Sequence, residues 1–390
     1  MRKILKKAVD LAVGLLMLPM VSIMSLMAQT TTTPPPQTFS ATIYLDYRYF
    51  LSNAGPVTLK PASATTAYLN NQFIFRRAYF TYENKISDNL KFRLRFDADN
   101  TANVTGVSLT GNPVTGTSLK KDDKLRPFVK HLYLEYSNFL VPKMVLNVGM
   151  IETLTFKPAE ERWGYRSVAK TLVDGYKDIT GVEINASSAD IGATLKYSFA
   201  KYFRFAAGYY NGSHYSHAEN DPYKEVELQA QISPIAGVSI VGYMDYERKL
   251  PIATLPGETK PKGYTYKVDA FFEMVKNLVV AGEWFTYRND LYQTAGLKYD
   301  VGGWSVFGRY AVKPDKFALF ARYDSYMPNS LARDRDMSLA IVGFDWAPYH
   351  ASWKLQPNVW FASYKDGTLY NATATKNSDV IFNLTFFLSF

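Results

Sequence analysis

The 390-residue chain has no cysteine and only four histidines. The first absence excludes a disulfide framework, a thiolate metal site and a cysteine nucleophile. The histidines are His131, His214, His217 and His350. In "GSHYSHAEN" (212–220), Ser213, His214, Ser216, His217 and Glu219 fall together. A hydrolase, however, needs its base held within hydrogen-bond reach of the serine, and as a metal site His-x-x-His lacks a third ligand. No glycine-rich phosphate cradle links a strand to a helix. No basic stripe interleaved with stacking aromatics marks a nucleic-acid binder. We therefore expect no enzyme, no metal, no cofactor and no nucleic-acid partner.

Long apolar runs are missing too. Beyond the N-terminus nothing approaches the roughly 18 uninterrupted apolar residues of a membrane-spanning helix. Yet the chain is 47% hydrophobic and 15% aromatic, with 29 Tyr and 25 Phe, and its mean hydropathy is −0.17. Alternating apolar and polar residues average out in this way in a membrane barrel.

The N-terminus predicts export. "MRKILKK" carries Arg2, Lys3, Lys6 and Lys7, an apolar run follows, and Ala28 offers a small residue for cleavage. Residues 1–28 read as a secretory signal peptide. Its removal takes four positive charges and Asp10 from the formal +9 and leaves +6. The polar, Pro-rich stretch 29–38 reads as a leader without a fold of its own, and 39–390 as the barrel.

Strand patterns fill that remainder. "LKFRLRFDAD" sets Leu90, Phe92, Leu94, Phe96 and Ala98 against Lys91, Arg93, Arg95, Asp97 and Asp99. "TYKVDAFFEM" sets Tyr266, Val268, Ala270, Phe272 and Met274 against Lys267, Asp269 and Glu273. Period-two alternation marks strands with one wet and one greasy face. Short turns near 87–89, 200–201, 234–237, 275–277, 313–316 and 348–351 alternate with longer polar stretches. Such sorting is the asymmetry between the two ends of an outer-membrane barrel. The fold expected is all-β: a transmembrane antiparallel barrel of about 16 strands in a bacterial outer membrane. A bulge is expected at Gly302–Gly303.

The chain ends "NSDVIFNLTFFLSF", with Val380, Phe382, Leu384, Phe386, Leu388 and Phe390 on one face. That strand should close against the first with its greasy face on lipid. Phe386, Leu388 and Phe390 are similar to the terminal signal read by the barrel-insertion machinery of outer-membrane proteins.

Two runs resemble a known family. "FRRAYFTYENKISDNLKFRLRFDAD" (75–99) resembles the paired-arginine hairpin near the start of the phosphate-selective porin O and P family. "LYLEYSNFLVPKMVLNVGMIETLTF" (132–156) resembles its next hairpin, which leads into a long constriction loop. The resemblance implies a monomer pore repeated as a homotrimer, and diffusion of small, often anionic, solutes. It does not imply phosphate, because the family's arginine ladder and lysine cluster do not map residue by residue.

For selectivity, Lys91, Arg93, Arg95, Arg204, Lys267 and Arg322 should face the lumen. Asp97, Glu225, Glu227, Asp245, Asp269 and Asp324 stand against them, so composition does not force anion preference. The stretch 152–189 is far longer than ordinary connections, a sign of function. Within it, Pro158 and Gly175 would bound a helix. Arg162, Arg166 and Lys170, four apart, would share its face as an anion-attracting stripe, with Glu160 and Glu161 as the opposing wall. The sequence reading is an outer-membrane porin passing small hydrophilic solutes or inorganic anions. The alternative is a plugged structural or adhesive barrel acting through its long loops.

Overall fold

The computed structural model describes residues 36–52, 71–99, 103–110, 116–122, 126–182, 184–215, 218–219, 221–248, 262–289, 299–366 and 376–390. The signal peptide 1–28 and the leader as far as residue 35 lie outside these, as do Ser216 and His217.

Sixteen strands close into one antiparallel barrel. The first three are β1 (Gln37–Ser52), β2 (Asn71–Lys85) and β3 (Leu90–Asp99). A separate hairpin follows, β4 (Asn103–Thr110) and β5 (Gly116–Asp122), inside a connection read from the sequence as plain loop. The barrel resumes with β6 (Arg126–Ser137), β7 (Met144–Glu152), β8 (Ala189–Ala200) and β9 (Phe203–Tyr210). Next come β10 (Glu225–Ile235), β11 (Val238–Arg248), β12 (Lys262–Phe272) and β13 (Leu278–Asn289). The last five are β14 (Tyr299–Lys313), β15 (Phe317–Met327), β16 (Met337–Trp346), β17 (Trp353–Tyr364) and β18 (Ser378–Ser389).

Closure is made where the sequence places it. β1 pairs with β18 from Thr42↔Ser389 to Ser52↔Val380. The backbones of Ala41 and Phe390 then exchange hydrogen bonds of 2.7 and 3.0 Å. No edge is left, as a barrel in lipid requires. The alternation sorts side chains as the pattern demands. On β12, Tyr266 and Val268 are exposed on the outside, while Lys267 and Asp269, alternating with them, are buried inside. The turn-side end carries Phe390 and Leu388 on the outer surface.

The bulge expected at Gly302–Gly303 is absent. Both glycines stay in register with Thr286 and Phe285, and the register shift on β14 comes at Ala311/Lys313 instead. Two other shifts matter more. Tyr44 faces Arg77 but Leu45 faces Phe75, so Arg76 is an extra residue on β2. Likewise Arg95 faces His131 but Phe96 faces Val129, so Lys130 is an extra residue on β6. A bulge lets two successive residues share a face. Arg76 with Arg77, and Lys130 with His131, therefore all point inward.

Gly149 on β7 lies at φ +131°, where a Cβ would come within 2.3 Å of the Leu132 carbonyl oxygen. Only glycine tolerates that conformation. Gly149→Val should destabilise the barrel by at least about 1–3 kcal/mol, seen as loss of the compact, heat-modifiable band in unheated gels.

Candidate functional site

The segment between β7 and β8 turns into the barrel and packs on its inner wall. Trp163, Leu172 and Tyr176 are fully buried. They share one apolar cluster with Phe285, Phe307, Phe320, Leu339 and Ile341 of the wall. Trp163 meets Phe307 and Phe320 edge-on, with ring centroids 5.5 and 5.8 Å apart. Burying such side chains supplies about 1.5–3 kcal/mol each.

A polypeptide inside a barrel also needs partners for its backbone, and the wall supplies them. Glu227 accepts from Leu154 N–H at 2.8 Å, and Glu283 from Leu172 N–H at 3.1 Å. Lys267 donates to the Thr155 carbonyl at 3.1 Å, and Arg322 to the Lys170 carbonyl. Arg76 donates to the carbonyls of Ser167 and of Val168, the latter at 2.6 Å.

The segment contains two short helices rather than one long one. α1 (Lys157–Trp163) has Pro158 in its first turn and stops at Gly164, which takes a left-handed φ of 70°. Glycine at that position ends helices, and it comes eleven residues before the Gly175 expected to do so. Beyond it, Trp163 Nε1 donates to the Ala169 carbonyl at 2.9 Å and holds the chain in a folded turn. α2 (Tyr176–Thr180) begins after Gly175.

The stripe of Arg162, Arg166 and Lys170 is thereby broken up. Arg162 turns toward the short-turn end, 3.4 Å from Glu273 and over the Phe271 ring. Arg166 pairs with Glu160 and Asp174. Lys170 pairs with Asp178 at 2.8 Å. Glu160 is thus the partner of Arg166 rather than a wall facing it. Glu161 lies near Lys157 and Arg162, at 4.0 and 3.6 Å.

The charges on the loop are firmly fixed. Burial alone would raise the Asp174 carboxyl, but Arg166, then Lys170, outweigh it and hold it well below the usual carboxylate range. Burial opposes the charge on Arg166 as well, yet Asp174 and the Tyr79 phenol raise its pKa.

The remaining predicted lumen residues split into two kinds. Lys267, between Asp269 (2.7 Å) and Glu283 (3.3 Å), and Arg322, against Asp324 (2.7 Å), are buried loop anchors. Arg93 reaches Glu83 at 2.7 Å, Lys91 lies 3.6 Å from Glu135, and Arg204 is exposed opposite Gln231. Arg95 donates to Thr81 Oγ1 at 2.8 Å. His214 Nε2 sits 2.9 Å from the Asn185 carbonyl oxygen rather than on Ser213, whose hydroxyl donates to Glu219.

Opposite the loop, β1, β2, β3 and β6 border two cavities that share Tyr44 and Arg166. The larger, about 600 Å³, lies toward the long loops. Its wall carries seven cationic groups, Arg48, Arg76, Arg77, Arg166, Lys170, Lys177 and Arg322, against the carboxylates of Asp99 and Asp178. The smaller, about 240 Å³, lies toward the short turns and includes Arg95, Lys130, His131, Glu152, Glu160 and Glu161. Arg76, Arg77 and Lys130 escape strict alternation. Their signal is the adjacent polar pair in "FRRAYF" and "VKHLYL", each breaking an otherwise period-two strand.

No protein-family model and no curated protein matches the chain. Solved structures do. An anion-selective porin from Comamonas acidovorans is 10% identical, with a TM-score of 0.60 over 91% of this chain and 99% of that one. OmpT of Vibrio cholerae in its trimer form is 12% identical, with a TM-score of 0.57 over 92% and 100%. The outer membrane channel DcaP of Acinetobacter baumannii is 10% identical, with a TM-score of 0.56 over 93% and 99%. The architecture is that of a porin-like barrel of the bacterial outer membrane.

Two consequences are measurable. Lys267→Met leaves Asp269 and Glu283 buried without their cation, a destabilisation of about 3–5 kcal/mol. It should lower the temperature at which the folded band is lost in gels. Because the Asp174 carboxyl is depressed on folding, its stabilisation is complete above the unfolded value of about 3.9. It fades only as pH falls below that. Limited proteolysis within 153–180 should thus be constant from pH 7 to about 4 and rise below. In Asp174→Asn it should be raised across the whole range.

Proposed function

We propose that the protein is an outer-membrane porin: a water-filled channel for passive diffusion of small hydrophilic solutes, with a preference for anions. The observation that carries this reading is the cationic majority around the larger cavity. A narrow, low-dielectric passage lined by one sign of charge concentrates the opposite sign. The acidic group Glu225, Glu227 and Asp245 is buried, and Glu227 is engaged by the start of the loop. It therefore adds little to the field along the open side.

The constriction in this reading lies where the two cavities meet, at Tyr44 and at Arg166, which reaches the Tyr79 hydroxyl of β2 at 3.3 Å. Arg166 and Lys170 keep a selective role, and Arg76, Arg77 and Lys130 join them; Arg162, Glu160 and Glu161 hold the loop in shape. The paired-arginine hairpin 75–99 supports kinship with the phosphate-selective porin O and P family. The trimer form of OmpT supports a homotrimer. Phe386, Leu388 and Phe390 serve as the insertion signal for the assembly machinery, and the outer apolar belt meets lipid.

Current through the refolded protein in a planar bilayer under a potassium chloride gradient tests the reading. Discrete open steps and a reversal potential of the sign set by chloride are expected. The double variant Arg76→Gln/Arg77→Gln should lower the anion-to-cation permeability ratio by about threefold or more. A silent bilayer with folded protein sinks the channel, and a reversal potential set by potassium sinks the anion preference.

A further inference from the structure

The smaller cavity contains a pair of donors that the loop and its anchors leave unused. Arg95 and His131 sit directly opposite each other on β3 and β6, a separation at which side chains act together. Both reach the inner surface at the same level, His131 because the bulge at Lys130 resets the face of β6. Arg95 is fixed at both ends of its guanidinium plane. Its Nε donates to Thr81 Oγ1 at 2.8 Å, and its carbon lies 5.1 Å from the centre of the Tyr79 ring. Its two terminal nitrogens have no carboxylate partner among the described residues.

His131 is 98% buried, being 2% exposed. Among the described residues neither ring nitrogen has a hydrogen-bond partner. The nearest carboxylate, Glu152, stands 3.8 Å from Nδ1, beyond hydrogen-bond reach. Glu152 is met instead by Lys157 at 3.4 Å. A buried polar group without a partner costs about 1–3 kcal/mol, so an imidazole held here calls for a ligand that meets it.

We propose that this cavity is a subsite for a small organic carboxylate. The fork of Arg95 takes the carboxylate, which suits its planar, two-point geometry. The imidazole N–H of His131 donates to a carboxylate oxygen. Lys130 sits beside them, itself 3.3 Å from Asp97, and adds positive field. The rings of Tyr44, Tyr79 and Phe156 wall the cavity and cover an apolar body. At about 240 Å³ the space falls below the roughly 300–1,000 Å³ of ordinary small-molecule sites, which restricts it to compact solutes. The subsite deepens the anion-channel reading and rests on it for its meaning: a solute pausing here would be one in transit.

Titration calorimetry of the full chain, refolded in detergent, tests this with benzoate as the probe and inorganic phosphate as the competing anion. Saturable benzoate binding is expected, weakened about tenfold in Arg95→Gln, the effect of losing one charged hydrogen-bonding fork. His131→Phe, which keeps a flat ring and removes both nitrogens, should weaken it severalfold. If Arg95→Gln does not give a heat-modifiable barrel, Arg95→Lys keeps the charge without the fork and should show the loss. No binding by the unaltered protein, or equal affinity in the variants, overturns the subsite. Phosphate binding as tightly as benzoate overturns the organic carboxylate assignment. Chloride conductance of the same preparation separates the two readings: current without benzoate binding removes the subsite alone, and benzoate binding without current removes the channel alone.

Discussion

A backbone shut away from water must find its partners within the protein, and both the barrel's closure and its inner loop answer that demand. The requirement closes β18 onto β1, down to the exchange of hydrogen bonds between Ala41 and Phe390. It also determines the treatment of the inward-folded loop. Once inside, the loop too must find partners for its amides and carbonyls, and it finds them on charged side chains of the wall. The buried ions of the lumen are therefore answers to a backbone problem first.

This division of labour explains the uneven charge of the interior. Under the loop, carboxylates and cations meet one another and the loop's own backbone, as Lys267 does with Asp269, Glu283 and Thr155. Across the gap Arg76 also holds loop carbonyls, while Arg48, Arg77 and Arg95 border the cavities. Two bulges reinforce that side, each turning a second basic or imidazole side chain inward where regular alternation allows one.

The sequence made the barrel and its sixteen strands legible, because a lipid-facing strand must alternate for its whole length. The strand that ends the chain and the one-by-one facing of Lys267 and Asp269 are of this kind. What it concealed are departures from regularity. The two bulges read as flaws in the pattern rather than as signals. The hairpin β4–β5 lay within a polar stretch whose sequence carries no regular period-two pattern. In sequence Gly164 is no different from Gly175 as a helix end; the helix stops at Gly164, with Trp163 just before it packed against the wall. Side chains expected to line the pore, Lys267 and Arg322 among them, cannot be told from anchors until the path of the loop is known.

The mutual dependence of loop and wall bears on how such a barrel can be remodelled. Shortening 153–180 to widen the bore would strip Lys267, Arg322, Glu227 and Glu283 of the groups they bind and leave ions facing one another across an empty wall. An engineer seeking a larger conduit would have to redesign both surfaces together. The natural course is to vary the opposite side instead, away from Arg76 and Tyr79, which also hold the loop. The inner segment is thus less a door than a form around which the barrel is cast.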